Sequence, residues 1–206
     1  MSDRQWIMNH KRDPYVIRAQ KEGFRSRASY KLIEIDDKYR LLRKGAVVLD
    51  LGAAPGGWSQ VAAHRTGDSG LTVAVDLLAM DAIPGVRDIQ VDFSQESALT
   101  AIADSLEGRE LDVVLSDMAP NLSGMRDIDQ PRSTYLVELA MDIADHRLRM
   151  GGGFVAKCFE GEGIDELRRS LRDRYDKVVN VKPKASRPKS REIYLIALGK
   201  RYATSF

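Results

Sequence analysis

The sequence predicts an α/β fold in which seven strands form a mostly parallel sheet with helices on both faces. Seven short runs are rich in Val, Ile and Leu without clean alternation, as in strands that are covered on both sides. Stretches with helical patterning separate most of these runs, and such alternation indicates parallel strands joined by right-handed crossovers. The chain has 206 residues, 43% of them hydrophobic, which is enough to build the core of one such domain.

The predicted elements follow one another in a regular order. A helix over residues 26–42 precedes the first strand. The predicted strands cover 46–52, 71–78, 89–93, 111–117, 153–159, 177–182 and 192–199. The predicted crossover helices cover 57–66, 95–107, 131–149 and 163–175. The last two strands are joined by the loop "KPKASRPKSR" (182–191), which leaves no room for a helix, so we expect at least one antiparallel pairing there.

Charged side chains stand at the same end of five successive predicted strands. Asp50, Asp76, Asp92 and Asp117 end the first four, and Lys157 lies near the end of the fifth. Ligands of such sheets bind beyond the carboxyl ends of the strands, so this edge is the predicted site. Lys157 is unusual because it interrupts an apolar run, and lysine is rarely buried unless it is paired. The alternative is a lysine at a strand end that extends to water.

The loop "DLGAAPGGWSQ" (50–60) joins the first strand to the first crossover helix. Gly52, Gly56 and Gly57 allow a tight turn and a close approach of the backbone to a ligand. No Gly-Lys-Ser/Thr follows, and the G-x-G-x-x-G spacing is absent, so neither a Walker loop nor a dinucleotide loop is indicated. Pro55 also removes an N–H group that a pyrophosphate would use. Trp58 either lines the ligand pocket or fixes the helix to the sheet.

The acids that follow the next two strands suit a nucleoside. Asp76 can accept hydrogen bonds from both ribose hydroxyls of an adenosine, and Asp92 can accept one from the adenine amino group. An acidic pocket favours a ligand with little or no phosphate. S-adenosylmethionine, which also carries a cationic sulfonium, has this character and is the predicted cofactor.

Charge is distributed unevenly along the chain. Residues 1–44 contain 12 Lys/Arg and 6 Asp/Glu, and residues 177–206 contain 8 and 1, whereas the remainder carries a net charge of −11. The loop 182–191 has five cations, two prolines and no acid. Two basic ends around an acidic centre suggest that the ends contact a polyanion. We therefore expect one domain over 1–206, with a basic extension and helix over 1–44 and a core over 45–206 that carries the basic loop.

Other residue types exclude several functions. Cys158 is the only cysteine, so no intramolecular disulfide can form, which fits a reducing compartment. The histidines, His10, His64 and His146, have no ligand spacing, and we expect no metal site. No apolar run approaches the ~20 residues of a membrane span, and the first residues do not look like a signal peptide. We expect a cytoplasmic monomer without a membrane partner.

Four motifs together carry a family resemblance. They are "RSRASYKL" (25–32), "LGAAPGGWSQ" (51–60), "SDMAPNLSG" (116–124) and "KPKASRPKSREIYLIA" (182–197). With these motifs at this spacing, the chain resembles the FtsJ family of RNA 2′-O-ribose methyltransferases over nearly its whole length. The resemblance implies a Rossmann-like S-adenosylmethionine-dependent methyltransferase fold. It also implies that the acceptor is a uridine in the A-loop region of large-subunit (23S-type) ribosomal RNA, methylated on the assembled subunit.

The resemblance also assigns roles to individual residues. The positions that correspond to cofactor-binding residues are Gly56, Trp58, Asp76, Asp92 and Asp117. The positions that correspond to the catalytic tetrad of the family are Lys31, Asp117, Lys157 and Glu192. The candidate contacts to RNA phosphates, chosen from the basic segments, are Arg25, Arg27, Arg187, Lys189 and Arg191.

Methyl transfer to a ribose hydroxyl requires alignment of the reacting atoms and removal of a proton. Lys157 can take that proton only when it is neutral, a form that Lys31 or Arg191 nearby would favour and that Asp117 would oppose. Alternatively, a charged Lys157 stabilises the developing alkoxide and water removes the proton. Glu192 would then hold Lys31 or the substrate ribose in place.

Two further functions remain open from the sequence. Transfer-RNA and messenger-cap members of the family share the tetrad, so the tetrad predicts the reaction and not the RNA. A ribosome-assembly factor could retain the fold and bind RNA without turnover, but binding alone does not require Lys157 or Glu192. Tyr30 and Tyr194 are expected in the core, and Cys158 is expected to be an inert buried thiol.

Overall fold

The computed structural model describes residues 12–92 and 95–201. The helices are α1 Pro14–Glu22, α2 Ser29–Tyr39, α3 Gly57–Thr66, α4 Glu96–Leu106, α5 Arg126–Arg147 and α6 Ile164–Arg174. The strands are β1 Val47–Leu51, β2 Leu71–Asp76, β3 Val86–Gln90, β4 Leu111–Ser116, β5 Leu148–Phe159, β6 Tyr175–Val181 and β7 Glu192–Lys200. His10 and the predicted end of the third strand, at residue 93, lie outside the described residues.

The seven strands form one sheet in the order β3-β2-β1-β4-β5-β7-β6. The first five strands are parallel, whereas β7 pairs antiparallel with both β5 and β6. The predicted mostly parallel sheet and its antiparallel edge are therefore confirmed. The order of the strands reverses between β1 and β4, and this crevice is where sheets of this kind bind ligands.

Two apolar clusters cover the two faces of the sheet. On one face, α2 and α3 contribute Leu32, Ile35 and Val61. On the other, α4, α5 and α6 pack against the sheet through residues such as Ile102 and Val137. All five residues of β1 are buried, which explains why the central strands lack alternation in the sequence. Helices therefore cover both faces, as predicted.

Several boundaries differ from the predicted ones. The α5 helix begins at Arg126 and not at Pro131, because acidic residues in its first turn stabilise the amino end of the helix one turn before the proline. The β3 strand ends at Gln90, so Asp92 lies beyond the strand. The α1 helix was not predicted, although Asp13 caps it through a hydrogen bond from the Tyr15 amide and Pro14 begins it. No helix within 12–92 and 95–201 is both long and apolar enough to cross a membrane.

Candidate active site

Lys157 and Asp117 meet where β5 and β4 end side by side. The two strands are parallel, with Ser116 of β4 opposite Ala156 of β5. The next residue after Ser116 is Asp117, and the next residue after Ala156 is Lys157, so the two lie side by side. Lys157 Nζ donates a hydrogen bond to the Asp117 backbone oxygen at 2.6 Å and lies 3.1 Å from Asp117 Oδ1. The Lys157 side chain is only 11% exposed. It is therefore a paired lysine and does not extend to water.

Lys31 and Glu192 form a second pair, between the α2 helix and the start of β7. Lys31 Nζ lies 2.6 Å from Glu192 Oε1, and the two side chains are 10% and 14% exposed. Burial disfavours the charged form of Glu192, but the charges of Lys31 and Lys157 outweigh it and lower the pKa of this carboxyl. Glu192 is therefore a carboxylate near neutral pH.

Tyr194 joins the two pairs. It lies opposite Lys157 in the antiparallel β5–β7 register, and it shares a face of β7 with Glu192 because strand side chains alternate. Its hydroxyl donates a hydrogen bond to Asp117 Oδ1 at 2.6 Å, and Lys31 Nζ lies 5.6 Å from the centre of its ring. Burial, followed by the charge of Asp117, raises the pKa of Tyr194 well above its ordinary value, so the hydroxyl keeps its proton. Lys157, Asp117, Tyr194, Lys31 and Glu192 therefore form one cluster of polar side chains, which we call the polar network.

A cavity of about 630 Å³ opens beside this network, at the carboxyl ends of β1, β2 and β4. Its volume is in the range of small-molecule sites. The lining residues include Gly52, Asp76, Asp117 and Met118, with Leu136 from α5. Acidic groups beside apolar surface fit a nucleoside that carries a sulfonium, such as S-adenosylmethionine.

The backbone after β1 and β2 fixes the Asp76 carboxyl at the wall of this cavity. Asp76 Oδ2 accepts a hydrogen bond from the Ala54 amide at 2.9 Å, and Oδ1 accepts one from the Leu78 amide at 2.8 Å. Each oxygen retains a second lone pair, so the carboxyl can also accept hydrogen bonds from a diol. Of the two acids predicted to bind the nucleoside, Asp76 lines the cavity, whereas Asp92, half-buried, is not among its described lining residues.

The glycines of the loop after β1 bring protein segments together. Gly52 has a φ of +72°, and a Cβ atom at this position would lie 2.6 Å from Met118 Cγ. Gly56 has a φ of +107°, and a Cβ atom there would lie 2.5 Å from Ile83 Cδ1. A Cβ atom added at Gly57 would lie 2.6 Å from Ser26 Oγ, in the segment before α2. Glycine at these positions therefore allows the loop to pack closely against its neighbours, and Gly52 itself lines the cavity.

Trp58 and Asp50 lie beneath the loop. Trp58 is 2% exposed, and its Nε1 donates a hydrogen bond to the Ala28 backbone oxygen at 2.8 Å, so its side chain fixes α3 to α2. Asp50, predicted to close the first strand at the site, is fully buried inside β1 and accepts a hydrogen bond from Ser59 Oγ at 2.6 Å. Burial, with smaller effects of the Asp117 and Asp76 charges, raises the pKa of Asp50 to about 7.

A second cavity, of about 430 Å³, lies on the other side of the Lys31–Glu192 pair. The basic loop 182–191 borders it through Arg187, Lys189 and Ser190, and Arg27 completes the wall. Arg27 also donates hydrogen bonds to Asp13 and to the Ala185 backbone oxygen, which tie the loop to the α1 segment. The structure thus brings three of the five candidate RNA contacts to one cationic cavity.

The other two candidate RNA contacts bind backbone carbonyl groups of the protein. Arg25 donates hydrogen bonds to the oxygens of Pro55, Asp81 and Ala82 and so supports the glycine loop. Arg191 donates hydrogen bonds to the Glu160 backbone oxygen at 2.6 Å and to Gln130 Oε1 at 2.8 Å.

The chain is similar to known proteins over most of its length. The model of the FtsJ-like methyltransferase family matches residues 24–200. The chain belongs to this family. The match begins just before α2, which carries Lys31, and ends at the last residue of β7, so every residue of the polar network lies inside it.

Among relatives of this FtsJ-like methyltransferase are proteins named ribosomal RNA large subunit methyltransferase E. The one from Alkalilimnicola ehrlichii is 56% identical over 95% of this chain and 94% of its own length. The one from Hydrogenovibrio crunogenus is 52% identical over 95% of both chains. A crystal structure from Plasmodium falciparum, described as a ribosomal RNA methyltransferase, has a TM-score of 0.77 and 31% identity over 86% of this chain and 98% of that one.

Proposed function

We propose that this FtsJ-like methyltransferase transfers a methyl group from S-adenosylmethionine to the ribose 2′-hydroxyl of a uridine in large-subunit ribosomal RNA. The observation that carries the proposal is the buried network from Lys157 to Glu192, which lies between a cavity suited to a nucleoside and a cavity with cationic walls. Relatives named as large-subunit methyltransferases support the substrate class. We further propose that the acceptor lies in the A-loop region and is methylated on the assembled subunit in the cytoplasm.

In this proposal, Asp76, Gly52 and Asp117 hold the cofactor, which supplies a methyl group on a cationic sulfur. The Asp76 carboxyl binds the ribose hydroxyls, because its oxygens are fixed by two backbone amides at the cavity wall. Asp117 contributes to both functions, since it lines the cavity and also contacts Lys157.

Lys157 is the group that we place at the acceptor oxygen. It stands on a buried strand and is held by two acceptors on Asp117, so its position is fixed before substrate binds. Lys31 and Glu192 lie beside the basic loop, where they can orient the acceptor ribose. Removal of the hydroxyl proton by a positioned base contributes about 10²–10⁴-fold, and alignment contributes roughly 7–11 kcal/mol.

The two roles of Lys157 lead to different pH dependences. If neutral Lys157 takes the proton, the single-turnover rate rises tenfold per pH unit while the lysine is mostly protonated. If charged Lys157 instead stabilises the developing alkoxide while a water molecule takes the proton, the rate is independent of pH until the lysine loses its proton, and then it falls. A pH profile of wild-type methyl transfer, from pH 6 to pH 10, distinguishes the two.

The substrate is tested with cofactor labelled in the methyl group. The protein is incubated with large ribosomal subunits from a strain that lacks this modification, with protein-free ribosomal RNA, or with transfer RNA. We expect label in the subunits, and alkaline hydrolysis should leave it in a dinucleotide because a 2′-O-methyl group blocks cleavage of the neighbouring phosphodiester. Label only in transfer RNA, or in an alkali-released mononucleotide, would contradict the proposal.

A further inference from the structure

A separate concave surface lies at the opposite edge of the sheet from the active site. Its volume is about 370 Å³, and it is formed where β1 and β4 begin and where β7 ends. Because parallel strands run from this edge towards the site, the five-residue β1 alone separates the two by roughly 17 Å. The surface, which we call the distal pocket, is lined by residues 39–41, 43–46, 112–113, 149, 151–153 and 198–199.

The distal pocket is strongly cationic. Arg40, Arg43, Lys44 and Arg149 line it, and Asp112 is the only acid among its lining residues. Asp112 is already neutralised, because its Oδ1 lies 2.5 Å from Arg149 Nε and its Oδ2 accepts a hydrogen bond from a backbone amide at 2.7 Å. Three positive charges therefore remain without compensation from within the pocket.

The nearest acids on α2 do not neutralise these charges either. Asp37 lies 2.7 Å from Arg65 on α3, and Asp36 lies 3.4 Å from the same guanidinium. Within 12–92 and 95–201, no ion pair involves Arg40, Arg43 or Lys44, and all three residues are exposed. Like charges that lie together repel one another, so a bound polyanion would stabilise this arrangement.

The floor of the pocket is backbone. The β4–β5 register moves from Leu111 opposite Leu148 to Val113 opposite Gly153, so residues 149–152 form a bulge in β5. Gly153 lets this backbone approach the segment before β1, because a Cβ atom there would lie 2.6 Å from Leu41 Cδ2. A concave polar surface beside flexible cations suits phosphate groups better than apolar ligands.

We propose that the distal pocket binds backbone phosphates of the RNA substrate, outside the catalytic cleft. The identity of that RNA rests on the proposed function. A large folded RNA can contact the cationic cavity at the active site and the distal pocket at once. The distal pocket therefore contributes to affinity for the large substrate and not to chemistry.

The test uses the full chain with the substitutions Arg40→Gln, Arg43→Gln and Lys44→Gln together. A matched control carries Arg169→Gln, Arg172→Gln and Lys177→Gln, which remove the same charge from exposed positions on α6 and β6. Filter binding to protein-free large-subunit RNA and to intact large subunits is measured between 50 and 200 mM KCl. Thermal unfolding checks that each variant folds, and the single substitutions Arg43→Gln and Lys44→Gln replace the triple variant if it does not.

We expect the triple variant of the distal pocket, called the distal variant, to bind the large RNA roughly 10- to 100-fold more weakly than the control at 100 mM salt. The slope of log affinity against log salt concentration should be smaller by about 2 to 3. The kcat at saturating subunits should equal that of the control. The proposal is overturned if the distal variant and the control bind the large RNA alike. It is also overturned if affinity is lost for intact subunits but not for protein-free RNA, since the partner would then be a ribosomal protein. Failure of the wild type to methylate subunits would contradict the proposed function. The comparison of RNA affinity between the distal variant and the control would still test the distal pocket.

Discussion

Replacing Tyr194 by Phe would remove one hydroxyl from the centre of the polar network and leave the rest of the side chain in place. The ring is fully buried and lies 5.6 Å from the ring of Trp58, so Phe fits the same space. The hydroxyl is the donor that joins β7 to Asp117 Oδ1. The substitution therefore tests whether Tyr194 positions the acid that holds Lys157 or only fills the core.

The magnitude follows from the kind of hydrogen bond that is lost. A hydrogen bond to a charged group contributes about 1.5–3 kcal/mol, and the free energy of unfolding should fall by that amount. If the transition state depends on the same contact, kcat should fall roughly 10- to 100-fold, because about 1.4 kcal/mol corresponds to a factor of ten. Loss of the whole ring by Tyr194→Ala would instead cost about 3–5 kcal/mol of stability through a cavity.

The matched control is Tyr175→Phe. Tyr175 is 2% exposed and packs against Phe154 with ring centres 6.3 Å apart, but it begins β6, at the far edge of the sheet. Urea unfolding gives the stability of both variants, and single-turnover methylation of large subunits at saturating cofactor gives the rate. We expect a slow Tyr194→Phe variant and a Tyr175→Phe variant with the wild-type rate. If both variants methylate at the wild-type rate, Tyr194 has no role in positioning.

Three further predictions concern acidic residues, namely Asp76 at the cavity wall, Asp50 in the interior and Glu192 beside Lys31. Asp76→Asn replaces one acceptor oxygen by an NH2 donor that faces a backbone amide. Cofactor affinity measured by calorimetry should therefore fall about 10- to 100-fold, while kcat at saturating cofactor changes little. Unchanged affinity would contradict the cofactor site. Burial raises the pKa of Asp50 to about 7, so as the pH rises the unfolded chain loses this proton before the folded protein does. The stability of the wild type relative to Asp50→Asn should therefore fall by about 1.4 kcal/mol per pH unit between about pH 4 and about pH 7, and then level off. A difference in urea unfolding that does not change with pH would refute this. A double-mutant cycle of Lys31→Met and Glu192→Gln should give a coupling above about 1 kcal/mol near neutral pH. Because the pKa of Glu192 is lowered, the coupling should persist into acid and disappear only as the pH falls through that lowered pKa; additive effects near neutral pH would indicate that the pair is not coupled.

The sequence was most informative where residues lie at strand ends. Asp117 follows β4 and Lys157 lies near the end of β5, and parallel strands end at the same edge, so the order of the elements already placed both residues at one edge of the sheet. The antiparallel edge followed from the length of the basic loop. Tyr194 was expected only in the core, although its spacing of two from Glu192 on a strand indicates a shared face.

Other features depended on boundaries and on tertiary contacts that no short pattern specifies. Asp50 was expected at the site because it lies near the end of the predicted first strand. In the fold, Leu51 still belongs to β1, and the Asp50 carboxyl lies in the interior, where it accepts a hydrogen bond from the Ser59 hydroxyl. Arg25 is a predicted phosphate contact, and the hydrogen bonds of its guanidinium to backbone carbonyl groups from two remote loops were not predicted. Such partners lie 30 or more residues away, and only the folded chain brings them together.

The substitution Lys157→Ala tests most directly whether Lys157 acts on the acceptor hydroxyl. Two quantities are measured, namely single-turnover methylation of large subunits and calorimetric binding of the cofactor. The substitution removes the ammonium that Asp117 holds but leaves Asp76 and the glycine loop intact. We expect methylation to fall at least 100-fold, in line with the contribution of a positioned proton acceptor, while cofactor affinity stays within a factor of about three. A Lys157→Ala protein that methylates at the wild-type rate would contradict the account.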